Sequence, residues 1–209
     1  MIDKMSEGIT HLLNQIYSTE INGTIYGPTV QAQQEVPDAL LAIAKQSVEA
    51  RDKIIRALIN ALEQDADGGA DTAFRIACDV LGKLKAVEAI DTLVKYIDYQ
   101  PDTYGSSLHY KPSVKGLIQI GEPAVPKIEQ TLAFGKSVLH PNNNQLRYNA
   151  VTALIHIGGT KSKDALERAY ALENDGPVKE WLEFAIRQID TAAAEREGSV
   201  TRVRAGDVE

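Results

Sequence analysis

The chain has 209 residues, with 29 acidic against 22 basic side chains, a formal net charge of −7, and a single cysteine. An acidic balance argues against nonspecific capture of nucleic acid, whose phosphates demand a basic surface, and one cysteine excludes an intramolecular disulfide. With 44% hydrophobic and 24% charged residues the composition is that of a folded chain, and charges interrupt every apolar run well short of the roughly 20 residues a membrane-spanning helix needs.

In chain order, the first segment carries Asp3, Glu7 and Glu20 and no continuous apolar run ending in small residues, so no secretory signal is expected and the predicted location is cytoplasmic. Ile9, Leu12, Leu13, Ile16 and Tyr17 share one helical face, which predicts a capping helix followed by a loop over residues 1–36. A repeat domain is expected over 37–194, with its first helix near 38–48.

The repeat is visible in three stretches: AFRIACDVLGKLKAVEAIDTLVKYI from Ala73, HYKPSVKGLIQIGEPAVPKIEQTL from His109, and LRYNAVTALIHIGGTKSKDALERAY from Leu146. Each holds two amphipathic segments. In the first helix of each repeat, Ala77, Ser113 and Ala150 correspond, as do Cys78, Val114 and Val151, then Leu81, Leu117 and Leu154, then Leu84, Ile120 and Ile157. In the second helix, Ile55, Ile90 and Val125 correspond, followed by Leu58, Leu93, Ile128 and Leu166, then Leu62, Ile97, Leu132 and Tyr170. Steps of three and four between these positions indicate helix, and a period of this length with two helices indicates units that bury their apolar faces against neighbours. Cys78 takes a position that the other repeats fill with valine, so it is expected to be an inert buried thiol. Gly121 and Gly158 fall just after the last apolar residue of the first helix, where glycine ends a helix without steric cost. Pro123 and Pro177 open the helices that follow.

On these residues, above all LGKLKAVEAIDTLVKYI and IGEPAVPKIEQTL, the chain resembles the HEAT repeat family, especially the short bacterial variety of phycobilisome-lyase-type proteins, over residues 37 to 190. The third repeat departs from the pattern, with Lys161 to Asp164 in place of the Ala-Val-Pro stretch. The resemblance implies an all-α solenoid, a right-handed superhelix of about four to five antiparallel helix pairs, whose concave face, lined by the second (B) helices, commonly holds a partner. It does not imply a reaction.

Candidate binding residues come from the B helices and from the connections after them. Two residues beyond the Leu58 series stand Asn60, Lys95, Gln130 and Arg168, a polar ladder in register, with Asp91 and Asp164 at another shared position. The connection 99–112 concentrates Tyr99, Tyr104, His109 and Tyr110, amphipathic side chains of the kind that anchor interfaces. The equivalent connection 135–146 holds His140 and a run of asparagines suited to turns. The acidic, glycine-rich stretch 64–71 does not make a calcium loop, because Ile76 stands where the twelfth ligand should be a glutamate.

No enzyme motif competes with this reading. His11, His109, His140 and His156 are none of them followed by glutamate, so the paired iron ligands of the HEAT-type deoxyhypusine hydroxylases are absent. Ligand spacings for metal, phosphate loops and nucleophile elbows are absent too, and no cofactor is expected. Trp181 and Phe184 lie beside Val178, Leu182, Ala185 and Ile189 on the last helix, and are expected to close the end of the core. A HEAT-type DNA glycosylase would also use tryptophan, but the acidic balance speaks against one. The tail 195–209, with Arg202 and Arg204, loses helical periodicity after Glu197 and is expected to be irregular. The favoured function is a noncatalytic scaffold that binds another protein, with the free chain a monomer or weak homo-oligomer. The alternative is a bilin lyase or chaperone like those of phycobilisomes.

Overall fold

A computed structural model describes residues 4–16, 19–21, 24–26, 29–65, 71–99, 111–134 and 145–206. The chain is mainly helical and divides into two compact units, Met1–Ile120 and Gly121–Glu209, the division falling inside the stretch read as one repeat domain. Among the described residues, no helix is long and apolar enough to cross a membrane.

The first unit begins with α1 (Lys4–Ile16) and a short antiparallel hairpin, β1 (Thr19–Ile21) with β2 (Thr24–Tyr26), in which Ile21 faces Thr24. The hairpin departs from the expected helix and loop. Its sequence signal is the Asn22-Gly23 pair between the strands, the dipeptide most favoured in two-residue hairpin connections. Next come α2 (Val30–Ala44), α3 (Val48–Asp65), α4 (Asp71–Lys83), a 3-10 turn at Val87–Ala89 running into the short α5 (Ile90–Lys95), and α6 (Pro112–Ile120).

The helix expected at 38–48 is α2, and it starts eight residues earlier, ahead of the expected domain boundary at 37. Thr29 caps it, its hydroxyl accepting the Ala32 N–H at 3.1 Å, and Pro37 lies inside it. Proline there removes one backbone hydrogen bond, but Val36, Leu40 and Ala44 form a buried stripe that holds the helix together across it. Residues 45–48 are instead the turn and start of α3, where the Ser47 hydroxyl accepts the Ala50 N–H at 3.0 Å.

The core of this unit follows most of the aligned positions, with Leu84 and Ile90 half-buried. Leu58, Leu62, Cys78, Leu81, Leu93, Ile97, Val114 and Leu117 are all buried. The close pairing of α4 with α6 depends on Gly116, since a β-carbon there would lie 2.9 Å from the Cys78 carbonyl oxygen. Any side chain would push the two helices apart.

The second unit opens with a 3-10 turn at Glu122–Ala124 and continues through α7 (Val125–Phe134), α8 (Gln145–Ile157), α9 (Gly159–Leu172) and α10 (Gly176–Gly206). Ile128, Leu132, Ala150, Val151, Leu154, Leu166, Val178, Leu182 and Ala185 are its buried centre. Ser162 occupies the position that Ala89 and Ala124 hold in the other repeats, and all three are fully buried. The departure at Lys161–Asp164 thus leaves the small inward-facing residue in place. The expected irregular tail is helical as far as Gly206, in keeping with the strong helix formers Ala192, Ala193, Ala194 and Glu195 that lead into it.

The turn between α9 and α10 is tied down by a buried carboxylate. Glu173 is 9% exposed. Its Oε1 accepts the backbone N–H groups of Asn174 at 2.8 Å and Asp175 at 2.7 Å, and its Oε2 pairs with the Arg147 guanidinium on α8. Asp175 in turn caps α10, accepting the Val178 N–H at 3.2 Å.

The repeat register is marked by backbone conformation as well as burial. Lys85, Gly121 and Gly158 hold the same aligned position, and all three have positive φ, at 53°, 88° and 68°. Lys85 adopts the conformation without glycine, and its ammonium donates to the Gln119 carbonyl oxygen. Gly121 has ψ near −145°, a region open essentially to glycine alone, and a β-carbon there would touch nothing within 4 Å. Gly121→Ala should therefore lose about 1–3 kcal/mol through backbone strain alone. Lys85→Gly should lose nothing comparable, and denaturant unfolding of both variants checks the contrast.

Candidate functional site

The B-helix positions separate cleanly by burial. Leu58, Leu93, Ile128 and Leu166 are all 0% exposed, whereas Asn60, Lys95, Gln130 and Arg168, two residues further on, are all exposed. A two-residue step turns a helical side chain by about 200°, so this outcome follows from the helical register. Asn60 on α3 and Lys95 at the end of α5 belong to the first unit; Gln130 on α7 and Arg168 on α9 belong to the second.

The ladder side chains are not equally available. The Lys95 ammonium lies 4.8 Å from the centroid of the Tyr96 ring, a cation–π distance. Arg168 makes a two-pronged pair with Glu129, Nε to Oε1 at 2.6 Å and Nη2 to Oε2 at 2.9 Å. Hydrogen bonding from Arg168 is the main reason the Glu129 carboxyl titrates below its usual range, with burial opposing and the guanidinium charge assisting. A partner carboxylate would have to compete with Glu129 for this fork. Asn60 and Gln130 present plain amides.

Tyr99 has a different setting from the one expected. Its ring packs 4.2 Å from that of Phe74, centroid to centroid, and Phe74 meets Tyr96 edge-to-face at 5.9 Å. Phe74 and Tyr96 are buried and Tyr99 is half-buried, so Tyr99 belongs to an aromatic cluster that seals the end of α5 against α4. Tyr104, His109, Tyr110 and His140 lie outside the described residues.

On α10 the core stripe is Val178, Leu182, Ala185 and Ile189, as expected. Trp181 and Phe184 are not part of it. They stand about 60° and 120° round the helix from Val178, and their rings stack at 5.0 Å with 14° between planes. Tyr148 on α8 meets Trp181 edge-to-face at 6.5 Å. Trp181 is half-buried and Phe184 is 46% exposed, so the pair edges the core of the second unit and presents an aromatic face.

The remaining reactive side chains have structural settings. His156 is exposed, and its Nδ1–H donates to the Thr152 carbonyl at 2.9 Å. Cys78 is fully buried with its sulfur 3.7 Å from the Ser113 hydroxyl, and burial, against a small opposing effect of that hydroxyl, pushes the thiol up to about 12. Only a thiolate reacts readily. A thiol-specific disulfide reagent should therefore leave Cys78 untouched in the native protein at neutral pH and modify it on unfolding; modification at the same rate in both states would contradict its burial. Among the described residues, no group of three or more His, Cys, Asp or Glu side chains is placed to hold a metal ion.

No protein-family model matches the chain. Nor does any curated protein match it significantly.

Proposed function

We propose that this chain is a noncatalytic, HEAT-like helical repeat protein that binds another protein through the exposed side of its B helices. The observation that carries this reading is the ladder: four polar side chains, Asn60, Lys95, Gln130 and Arg168, exposed at one register on the opposite side of each helix from four fully buried apolar ones. Helical geometry accounts for the exposure; the polar character of all four, at one shared register, is what suits a surface that receives a partner repeat by repeat. The shared left-handed residue at Lys85, Gly121 and Gly158 supports the repeat assignment on which the ladder rests.

Each unit offers its own part of this surface, with Asn60 and Lys95 in the first and Gln130 and Arg168 in the second. The amides at Asn60 and Gln130 are the natural recognition points, because Arg168 is already engaged by Glu129. Tyr99 contributes by holding α5 in place, so Tyr99→Ala acts on stability before it acts on binding.

Photo-crosslinking in the source cell tests the assignment. A crosslinking side chain at position 60 or 130 should capture the same protein, and one at 156, on the exposed face of α8, should not. Capture from position 156 alone, or equally from all three, would overturn the B-helix assignment. A change in the absorbance of added bilin with no protein captured would move the reading to chromophore handling.

A further inference from the structure

A pocket of about 280 Å³ opens in the first unit between α2, α4 and α6, away from the B-helix ladder. Its apolar lining comes from Pro37, Ile76 and Pro112, and its polar lining includes Gln33, Arg75, Asp79 and Lys115. The size is just below the range typical of small-molecule sites, and an apolar surface with a few polar groups is their usual make-up.

The charges around this pocket do not cancel. Asp79 is the one acid in the lining, and it is already taken up: its carboxylate oxygens lie 2.7 Å from the Lys115 ammonium and 2.8 Å from that of Lys83, and Oδ1 accepts from Gln119 Nε2 at 3.3 Å. Burial works to raise its pKa, but the hydrogen bonds and charges of Lys115 and Lys83 outweigh it and hold the carboxyl below its ordinary value. Asp79 is therefore a fixed anion shared between two cations. Among the described residues the partner of Arg75, one turn earlier on α4, is neutral: its Nη2 donates to Gln33 Oε1 at 3.1 Å. Within the lining two cations, Arg75 and Lys115, stand against one anion, in a chain whose net charge is −7.

We infer that this pocket binds a small organic carboxylate, with the Arg75 guanidinium receiving the acid group, Lys115 reinforcing it, and Ile76, Pro37 and Pro112 seating the carbon skeleton. A guanidinium presents paired N–H donors that match the two oxygens of a carboxylate, and one of them here is spent on an amide that a ligand can displace. An inorganic anion would leave the apolar lining unused. A cation would meet Arg75 and Lys115 with no free acid to receive it.

Titration of the full chain followed by backbone amide NMR tests the inference, with benzoate and succinate as probes, benzylamine as a shape control of opposite charge, and inorganic phosphate as an ion control. At least one acid should give saturable shifts centred on Gln33, Arg75 and Lys115, and benzylamine should give none. Arg75→Gln should weaken the acid about tenfold or more, the loss of a charge-assisted contact. Gln33→Glu, which supplies a carboxylate from the chain itself, should abolish binding with the fold kept, and Lys161→Gln, far in sequence on α9, should change nothing. Failure of both acids to bind, unchanged affinity in Arg75→Gln and Gln33→Glu, or phosphate binding as tightly as the acids would each overturn it.

Discussion

Glu173→Ala should destabilise the protein by about 3 kcal/mol or more, the cost of breaking a buried ion pair from one side. The loss has two parts. Removing the carboxylate leaves the Arg147 guanidinium without its counter-ion, and it strips the Asn174 and Asp175 N–H groups of their acceptor. Arg147 is 25% exposed at its side chain and can recover some hydration, which places the cost at the lower end of the range for such pairs. Glu173→Gln separates the two parts, since its side-chain carbonyl can still accept from the turn while the charge is gone. That variant should lose less, about 1–2 kcal/mol. Trp181, the only tryptophan, lies on α10 directly after this turn, so its fluorescence in denaturant reads both variants. Equal losses for the two would mean that the turn's hydrogen bonds contribute nothing beyond the ion pair.

Glu173 also shows where the sequence stops being readable. Periodic features were legible: the Leu58 and Leu81 series, the glycines at 121 and 158 that end their helices, and the exposure of the ladder all follow from one alignment and the geometry of a helix. A single buried carboxylate has no period. Nothing in the sequence LENDG distinguishes Glu173 from a solvated turn residue, because its burial depends on Arg147, which lies 26 positions earlier. The same holds for the pocket, whose residues come from three stretches near 33–37, 75–79 and 112–115 that only tertiary packing unites. Two misses did carry a local signal. Asn22-Gly23 announced the hairpin, and Thr29 announced the start of α2, but both lie outside the stretches whose repeat the alignment rests on. Trp181 and Phe184 are apolar neighbours of the core stripe turned to its edge, an angle finer than an apolar pattern resolves.

The aligned leucines set the largest expected losses in the two cores. Leu117 on α6 and Leu154 on α8 hold the same repeat position, one in each unit, and both are fully buried. Truncating either to alanine removes its apolar contacts and leaves a cavity that close-packed helices fill only in part, so Leu117→Ala and Leu154→Ala should each cost about 2–5 kcal/mol. Leu117 should lie toward the upper end of that range. Its neighbour Gly116 already brings α6 so close to the Cys78 backbone that α6 and α4 have little room to shift into the cavity. His156→Ala, two residues along α8 from Leu154, gives the control: the ring is exposed and its one hydrogen bond goes to a carbonyl of its own helix, so its loss should stay within about 0.5 kcal/mol. Circular dichroism in denaturant measures all three, and Trp181 fluorescence reports Leu154→Ala within its own unit. Losses of similar size for His156→Ala and Leu154→Ala would show that burial does not follow the repeat register, and the ladder, which is defined by that register, would lose its basis as a binding surface.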